Sequence, residues 1–255
     1  AILIGLVGSE MCIRDRVQSH ASALYLIRAP RTEQAQELFQ RVNLIARGMA
    51  MATETSVSWE LIKTCAELIP NIPLEQELAA SFGQIPAPAL TGEELRFMER
   101  ITASSGADKN EALQRALNWL KKPEDRAAVQ ARMGEPFHGQ PLPYQPLAVP
   151  PVGGGSTDVG DVSWQCPTAQ IYTATWAPGS GGHTWQIVAQ GKGSVAHKYM
   201  CYCGKVLGQT AIRLMQHPEK LAKARRAWQA ALEGRSYLPI PGEVRPRAIS
   251  SLGRR

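Results

Sequence analysis

Three things are scarce in this sequence: long apolar runs, cysteines at useful spacing, and the glycine signatures of nucleotide or serine-nucleophile sites. No apolar stretch approaches the roughly 18–20 residues that a helix needs to cross a bilayer, so no membrane partner is expected. The opening stretch is apolar but lacks a basic start and runs into Glu10, Arg14, Asp15 and Arg16. It therefore does not read as a secretory signal. The five cysteines are odd in number and scattered, which excludes a disulfide framework and fits a reducing cytoplasm. No GxSxG, P-loop or dinucleotide-binding pattern is present, which removes the basis for serine-hydrolase and nucleotide-binding readings. Nor is there an internal repeat.

What is there is an ordinary globular composition, 44% hydrophobic and 20% charged over 255 residues, ample for a core. The net charge of +6 invites a nucleic-acid reading. The basic residues argue otherwise. Lys220, Lys223, Arg225 and Arg226 share one predicted helix, and Arg245, Arg247, Arg254 and Arg255 lie in the tail. No stripe of Arg and Lys alternates with aromatics as a strand-binding groove requires, so these charges read as solvated surface and no nucleic acid is expected.

Residues 1–16 stand apart from everything after them. Their LVGSEMCIRDR portion resembles the translation of a transposon-type sequencing adapter read as coding sequence. The alternative is a strand over Ile2 to Val7 followed by a charged turn. On the adapter reading neither Cys12 nor the charges from Glu10 to Arg16 carry a functional argument, and fold reasoning starts at Val17.

From there, Ala23 to Ala29 is rich in aliphatic and aromatic side chains and stops at Pro30, which predicts a strand. Thr32 offers an N-cap for a long helix. Its positions Ala35, Leu38, Phe39, Val42, Ile45, Ala46 and Met49 recur at steps of three and four, predicting one buried stripe. After Thr53 the period becomes two: Val57, Trp59 and Leu61 alternate with polar neighbours, as in a half-packed strand. Two strands and one helix rarely make a stable layer, so this unit reads as half of a ferredoxin-like sandwich.

The character changes at Pro70-Asn71-Ile72-Pro73, which marks a domain crossing. A helix is predicted from Leu74 to about Phe82. Thr91 with Glu94 then forms a capping box ahead of Leu95, Phe97, Met98 and Ile101. Another helix carries Leu113, Ala116, Leu117 and Leu120, and Pro123 opens one over Glu124 to Arg132. Residues 134–155 read as a Pro/Gly-rich loop. Then come the GSTDVGDVSW segment, an alternating strand from Ala169 to Trp176, the loop APGSGGH, a helix from Ser194 to Met215, and another from Pro218 to Leu232. The tail from Pro239 reads as irregular. Alternating strand and helix predicts an α/β protein.

His183 is the leading candidate for chemistry. It follows a strand and a loop of small residues (Pro178 to Gly182), where glycines let backbone approach a ligand closely. A neutral imidazole is also the commonest metal ligand. On spacing alone a metal ligand and a loop histidine capping the next helix are equally good readings. One histidine cannot hold a catalytic zinc, which takes about three protein ligands. Asp158 and Asp161 sit in a glycine-containing turn and could orient ligand imidazoles or tune a bound water. Satisfying turn amides is the reading the residues themselves favour. His197 and Lys198 fall in the long predicted helix, where solvent-facing or interhelical roles fit best. Cys201 and Cys203 point to nearly opposite sides of that helix and read as small core residues rather than a metal clip. Cys65 and Cys166 have no companion at ligand spacing, and His20, His138 and His217 are isolated, His217 as a helix-start residue.

Taken together, VQSHASALYLIRAP, IARGMAMATETSVSWELIKTC, TGEELRFMERI, GSTDVGDVSW and GGHTWQIVAQGKGSVAHKYM resemble the M20 family of metallopeptidases and amidohydrolases, within it the B-subunit group of p-aminobenzoyl-glutamate hydrolases. The five blocks stand in the family's order and run from Val17 to about Pro246.

The resemblance implies a two-domain α/β architecture: a catalytic domain holding two divalent metals, zinc or manganese, with a ferredoxin-like lid inserted that mediates dimerisation. On this chain residues 17–69 would be the second half of the lid, 70–246 the C-terminal part of the catalytic domain, and 247–255 a tail. The chain as a whole would then be the C-terminal half of such a protein. His183 occupies the family's HTWQ block, whose histidine is expected to ligate metal, and Asp158 and Asp161 match acidic positions expected near the metal centre. The family's other ligands, its general-base glutamate and a lid histidine all precede the point matching Val17. Gly181-Gly182 stands where relatives carry a more restricted pair, which predicts a looser loop. The implied activity is hydrolysis of a small-molecule amide, p-aminobenzoyl-glutamate or a similar acyl-amino acid or dipeptide, with this fragment inactive alone. A homodimer through the lid and a second, different subunit are the implied partners. The alternative is a non-catalytic dimerisation module derived from the same family.

Overall fold

A computed structural model of the chain describes residues 2–7, 19–147 and 155–237. Cys12, the charged residues 10–16, residues 148–154 of the Pro/Gly-rich loop and the tail arginines lie outside the described residues. The chain divides into two compact units: Ala1–Ile69 with Pro151–Cys166 and Leu232–Arg255, and Pro70–Pro150 with Pro167–Ala231.

In the first unit, strands β1 (Ile2–Val7) and β2 (Ser22–Ile27) pair antiparallel, with Ile4 opposite Tyr25. The strand alternative for Ile2 to Val7, and not an unstructured lead-in to Val17, is what the chain adopts. A run of β-branched and aliphatic residues is free to adopt the strand alternative once β2 offers an edge. Helix α1 (Thr32–Ala52) follows, but Thr32 is its first residue rather than its cap. The Thr32 backbone N–H, left without an intrahelical partner at a helix start, donates to Glu67 Oε2 at 3.1 Å, and the Thr32 hydroxyl donates to the same oxygen. Burial pushes the Glu67 carboxyl up, but these bonds and the Arg235 guanidinium together pull it below the usual range.

The stripe of α1 is not buried. Ile45 and Met49 are each more than half exposed, and Ala35, Leu38, Phe39, Val42 and Ala46 are only half-buried. An amphipathic helix buries its stripe only against a facing element, and although β2 contacts α1, Ile45 and Met49 stay largely in solvent. The alternation at Val57, Trp59 and Leu61 likewise forms no strand: residues 55–71 carry neither helix nor ladder. Arg47 stacks over Trp59 at 4.7 Å instead.

The best-packed part of this unit surrounds a short helix, α2 (Val159–Ser163). Trp164 Nε1 donates to Glu67 O at 2.9 Å, Arg235 lies over the Trp164 ring at 5.1 Å, and Ser163 Oγ accepts from Ile69 N at 2.9 Å. Gly160 is required here, because a Cβ would stand 2.0 Å from the Ala66 carbonyl oxygen.

The second unit is helical among its described residues. In chain order it holds α3 (Ile72–Gln84), α4 (Gly92–Ser105), α5 (Glu111–Trp119), α6 (Pro123–Gln130), α7 (Trp185–Gln190), α8 (Ser194–Gln216) and α9 (Pro218–Leu232). Asn71 caps α3 by accepting from Leu74 N, while its amide donates to Ala224 O. The Thr91–Glu94 box starts α4 as its sequence predicts, and Gly106 at φ +66 ends it. Pro123 opens α6, which stops two residues short of Arg132. Between Ala169 and Trp176 there is no strand. A period-2 pattern makes a strand only where another strand supplies hydrogen bonds, and none does so among the described residues. The two expected strands that fail leave the described residues mostly helical, with one two-stranded sheet.

The core of this unit joins Met98 and Ile101 of α4, Phe137, Ala177, and Val195, Tyr199, Tyr202 and Val206 of α8. Its rings meet edge to face, Phe137–Tyr199 at 5.3 Å and Tyr199–Tyr202 at 5.9 Å, a favoured aromatic geometry. Leu113, Ala116, Leu120 and Val129 close a smaller cluster between α5 and α6. Thr210 donates to Ser81 Oγ at 2.8 Å, and Glu77 accepts from Arg213 and Lys220, whereas Arg132 Nε and His138 Nε2 are buried without a hydrogen-bond partner. Cys201 is exposed and Cys203 only partly buried, so the pair does not serve as core. No helix among the described residues is long and apolar enough to cross a membrane.

Candidate functional site

The loop carrying His183 is built from its own sequence and then fixed from two sides. Ser180 N donates to Ala177 O at 3.2 Å, closing a turn with Pro178 second and Gly179 third at φ +80. Proline followed by a residue of positive φ is the chemistry of a type II turn. Thr102 Oγ1, from α4, donates to Pro178 O at 3.0 Å. On the other side stands Gln190, the last residue of α7 and 1% exposed. Its Oε1 accepts from Ala177 N at 2.6 Å, and its Nε2 donates to Ser180 Oγ at 3.1 Å and to Gln186 O at 2.9 Å. One buried amide thus ties the start of the loop to the helix that follows it.

After that clamp the chain passes Gly181 and Gly182 to His183, which takes φ +61. A non-glycine residue in the left-handed region is uncommon and stores strain of about 1 kcal/mol or more. Thr184, not His183, is the N-cap residue of α7, and its hydroxyl donates to Gly181 O at 2.8 Å. The helix-capping alternative for His183 is therefore not the one the chain adopts. Its imidazole is exposed and makes no hydrogen bond among the described residues. It borders an open pocket of about 660 Å³ whose other walls are Trp176, Trp185, Ile187 and Val188. Trp185 is 62% and Trp176 46% exposed. Sequence reasoning passed over these two indoles, although both flank the glycine loop in the sequence.

Asp158 and Asp161 belong to the first unit, Asp158 at the cap of α2 and Asp161 within it, whereas His183 belongs to the second. Asp161 Oδ1 accepts from Ala66 N at 3.0 Å and from Tyr237 Oη at 3.1 Å. Burial, with help from that carboxylate, pushes the Tyr237 hydroxyl pKa up. This is the work of a polar group holding local structure. Asp158 is exposed at the cap position of α2, with a contact from the Thr157 hydroxyl at 3.4 Å. Lys198 pairs with Glu94 at 2.7 Å, an interhelical role. His217 stands just before α9, with Nδ1 at 3.2 Å from Glu219.

Among the described residues no three His, Cys, Asp or Glu side chains come together as a metal would require. Around His183 those residues offer one exposed imidazole and no more. They do not by themselves fit the pair of divalent metals that the sequence resemblance implies.

A relative supplies what the donor set cannot. The chain is similar to the B-subunit of p-aminobenzoyl-glutamate hydrolase from Escherichia coli (strain K12), with 35% identity over 243 residues. The match covers 91% of this chain and 48% of the relative, so the chain spans about half the length of the curated relative it matches. No protein-family profile matches. No solved structure matches.

Proposed function

We propose that this chain is part of an amide hydrolase acting on p-aminobenzoyl-glutamate or a similar acyl-amino acid or dipeptide. The observation that carries the reading is the 35% identity sustained over 91% of the chain with a hydrolase of that name. The exposed, strained His183 at the head of a clamped glycine loop supports it, since strain of this kind clusters at functional sites. In this reading the full protein has the two-domain α/β architecture, and His183 is one ligand of a centre of two zinc or manganese ions. Its other ligands and general base come from residues outside those described. The chain alone is inactive. The full protein is a cytoplasmic homodimer through the lid. Because its relative is named as one subunit of a hydrolase, a second, different subunit is part of the proposal.

The test is release of p-aminobenzoate from p-aminobenzoyl-glutamate, with added zinc or manganese. The chain as given should show none. The protein encoded when the source DNA is read upstream of Val17 should show metal-dependent release that His183→Ala abolishes. Unrelated sequence upstream, or release that survives His183→Ala, would defeat the reading.

Two observations favour a non-catalytic dimerisation module instead: the exposed Ile45 and Met49 of the α1 stripe, and the absence of a ligand cluster among the described residues. That reading requires the chain to self-associate without metal, and sedimentation in the presence of a chelator decides it.

A further inference from the structure

A primary amide is unfavourable to bury unless its hydrogen bonds are replaced, yet Gln190 closes α7 at 1% exposed. An apolar side chain of similar length would fill the same space without that penalty. What the amide adds is direction. Its oxygen accepts from Ala177 N at 2.6 Å, and its nitrogen donates to Ser180 Oγ at 3.1 Å and to Gln186 O at 2.9 Å. These partners lie 13, 10 and 4 residues back along the chain. One planar group therefore holds the loop ahead of His183 and the helix behind it in a fixed relation.

The segment between them has little else to hold it. Gly181 and Gly182 give the backbone its widest choice of conformation, and a Cβ at Gly182 would meet nothing within 4 Å. The His183 imidazole makes no hydrogen bond among the described residues, so the side chain does not anchor its own backbone at φ +61. The frame around it does so: Ala177 and Ser180 on Gln190, and the Thr184 hydroxyl on Gly181 O at 2.8 Å. We infer that Gln190 is a positioning residue, whose buried amide sets the direction in which the glycine loop presents His183. The inference rests on the hydrolase reading above, in which His183 takes part in the reaction. A group aimed before the reaction begins raises turnover, and a small misplacement lowers it steeply. Loss of the clamp should therefore show in kcat rather than in KM.

The test has two arms. In this chain, nitrogen-15 relaxation reads the His183 amide. We expect an order parameter near about 0.85 that falls below about 0.6 in Gln190→Ala, while the amides of α8 stay rigid as a check on folding. In the upstream-extended protein, Gln190→Ala should lower kcat for p-aminobenzoate release about 100-fold and leave KM within about twofold. Glu94→Gln, a destabilising change away from the loop, should leave kcat in place. Gln190→Glu supplies the conservative rescue. Burial raises the pKa of such a carboxyl, and in its protonated form it can accept from Ala177 N and donate to Gln186 O. Its kcat relative to the parent should therefore recover as pH falls.

A His183 amide that stays rigid in Gln190→Ala, or a kcat that falls no further than in Glu94→Gln, overturns the inference and leaves the hydrolase reading standing. If Gln190→Ala does not fold, Gln190→Glu carries the test, and a kcat equal to the parent's at every pH overturns the inference. If the extended protein releases no p-aminobenzoate under any metal condition, the hydrolase reading falls, and the amide arm alone decides whether Gln190 directs His183.

Discussion

Glu94 offers the sharpest quantitative test of the helical unit. Its carboxylate is 10% exposed and bonded on every side. Oε2 accepts from Thr91 N at 2.7 Å and from Lys198 Nζ at 2.7 Å, and Oε1 accepts from Ser194 Oγ at 2.6 Å. Lys198, Ser194 and Thr91, in that order, outweigh burial and hold its pKa down to about 2 from an ordinary 4.5. Taken at face value that difference is about 3 kcal/mol of folding stability near neutral pH. Lys198 is 34% exposed, so solvent screens part of it, and about 2 kcal/mol is the better expectation.

The sign follows from the direction of the shift. A carboxyl whose folded pKa is depressed contributes fully above its unfolded value of 4.5, and the contribution drains as pH falls toward 2. Glu94→Gln keeps the size and one acceptor but not the charge. In urea unfolding followed by near-ultraviolet circular dichroism of the Phe137–Tyr199–Tyr202 cluster, the variant should be about 2 kcal/mol less stable at pH 6. By pH 3 the gap should have closed by more than half. An equal gap at both pH values would show that Glu94 acts through packing and cap geometry alone, and the electrostatic argument would be refuted.

Three other perturbations test the loop and the first unit. Gln190→Ala leaves the Ala177 N–H, itself buried, without its acceptor, and should cost about 2 kcal/mol while hydrogen exchange accelerates through residues 177–184. His183→Gly relieves the φ of +61 and should raise the melting temperature by the equivalent of up to about 1 kcal/mol, so a fall would refute the strain reading. Gly160→Ala drives a Cβ to 2.0 Å from the Ala66 carbonyl oxygen, which is backbone and cannot swing aside; a loss of about 3 kcal/mol is expected in thermal unfolding.

The helices were legible because their signals are local. The Thr91–Glu94 box, the proline at Pro123 and the steps of three and four all act within a turn or two, and the structure places helices on them. The strands were not, because a strand is a relation between segments. Val57–Leu61 and Ala169–Trp176 carry the alternating pattern and form no ladder among the described residues, while Ile2–Val7, set aside as adapter-like, pairs along β2. The expected burial of the α1 stripe failed for the same reason: periodicity says which face is apolar, not whether anything covers it.

His183 divides the same way. The glycine loop, the candidate imidazole and the M20 resemblance are properties of the sequence alone. Only the folded chain decided that Thr184 takes the cap and leaves His183 free, that Gln190 reaches back 13 residues to clamp Ala177, and that Trp176 and Trp185 face one pocket. It also decided that Asp161 spends its hydrogen bonds on Ala66 and Tyr237, partners 95 and 76 residues distant. Sequence determines what a short stretch prefers, because caps, turns and periodicity act between neighbours. Which distant groups satisfy a buried donor or wall a pocket is settled only when packing brings them within hydrogen-bonding reach.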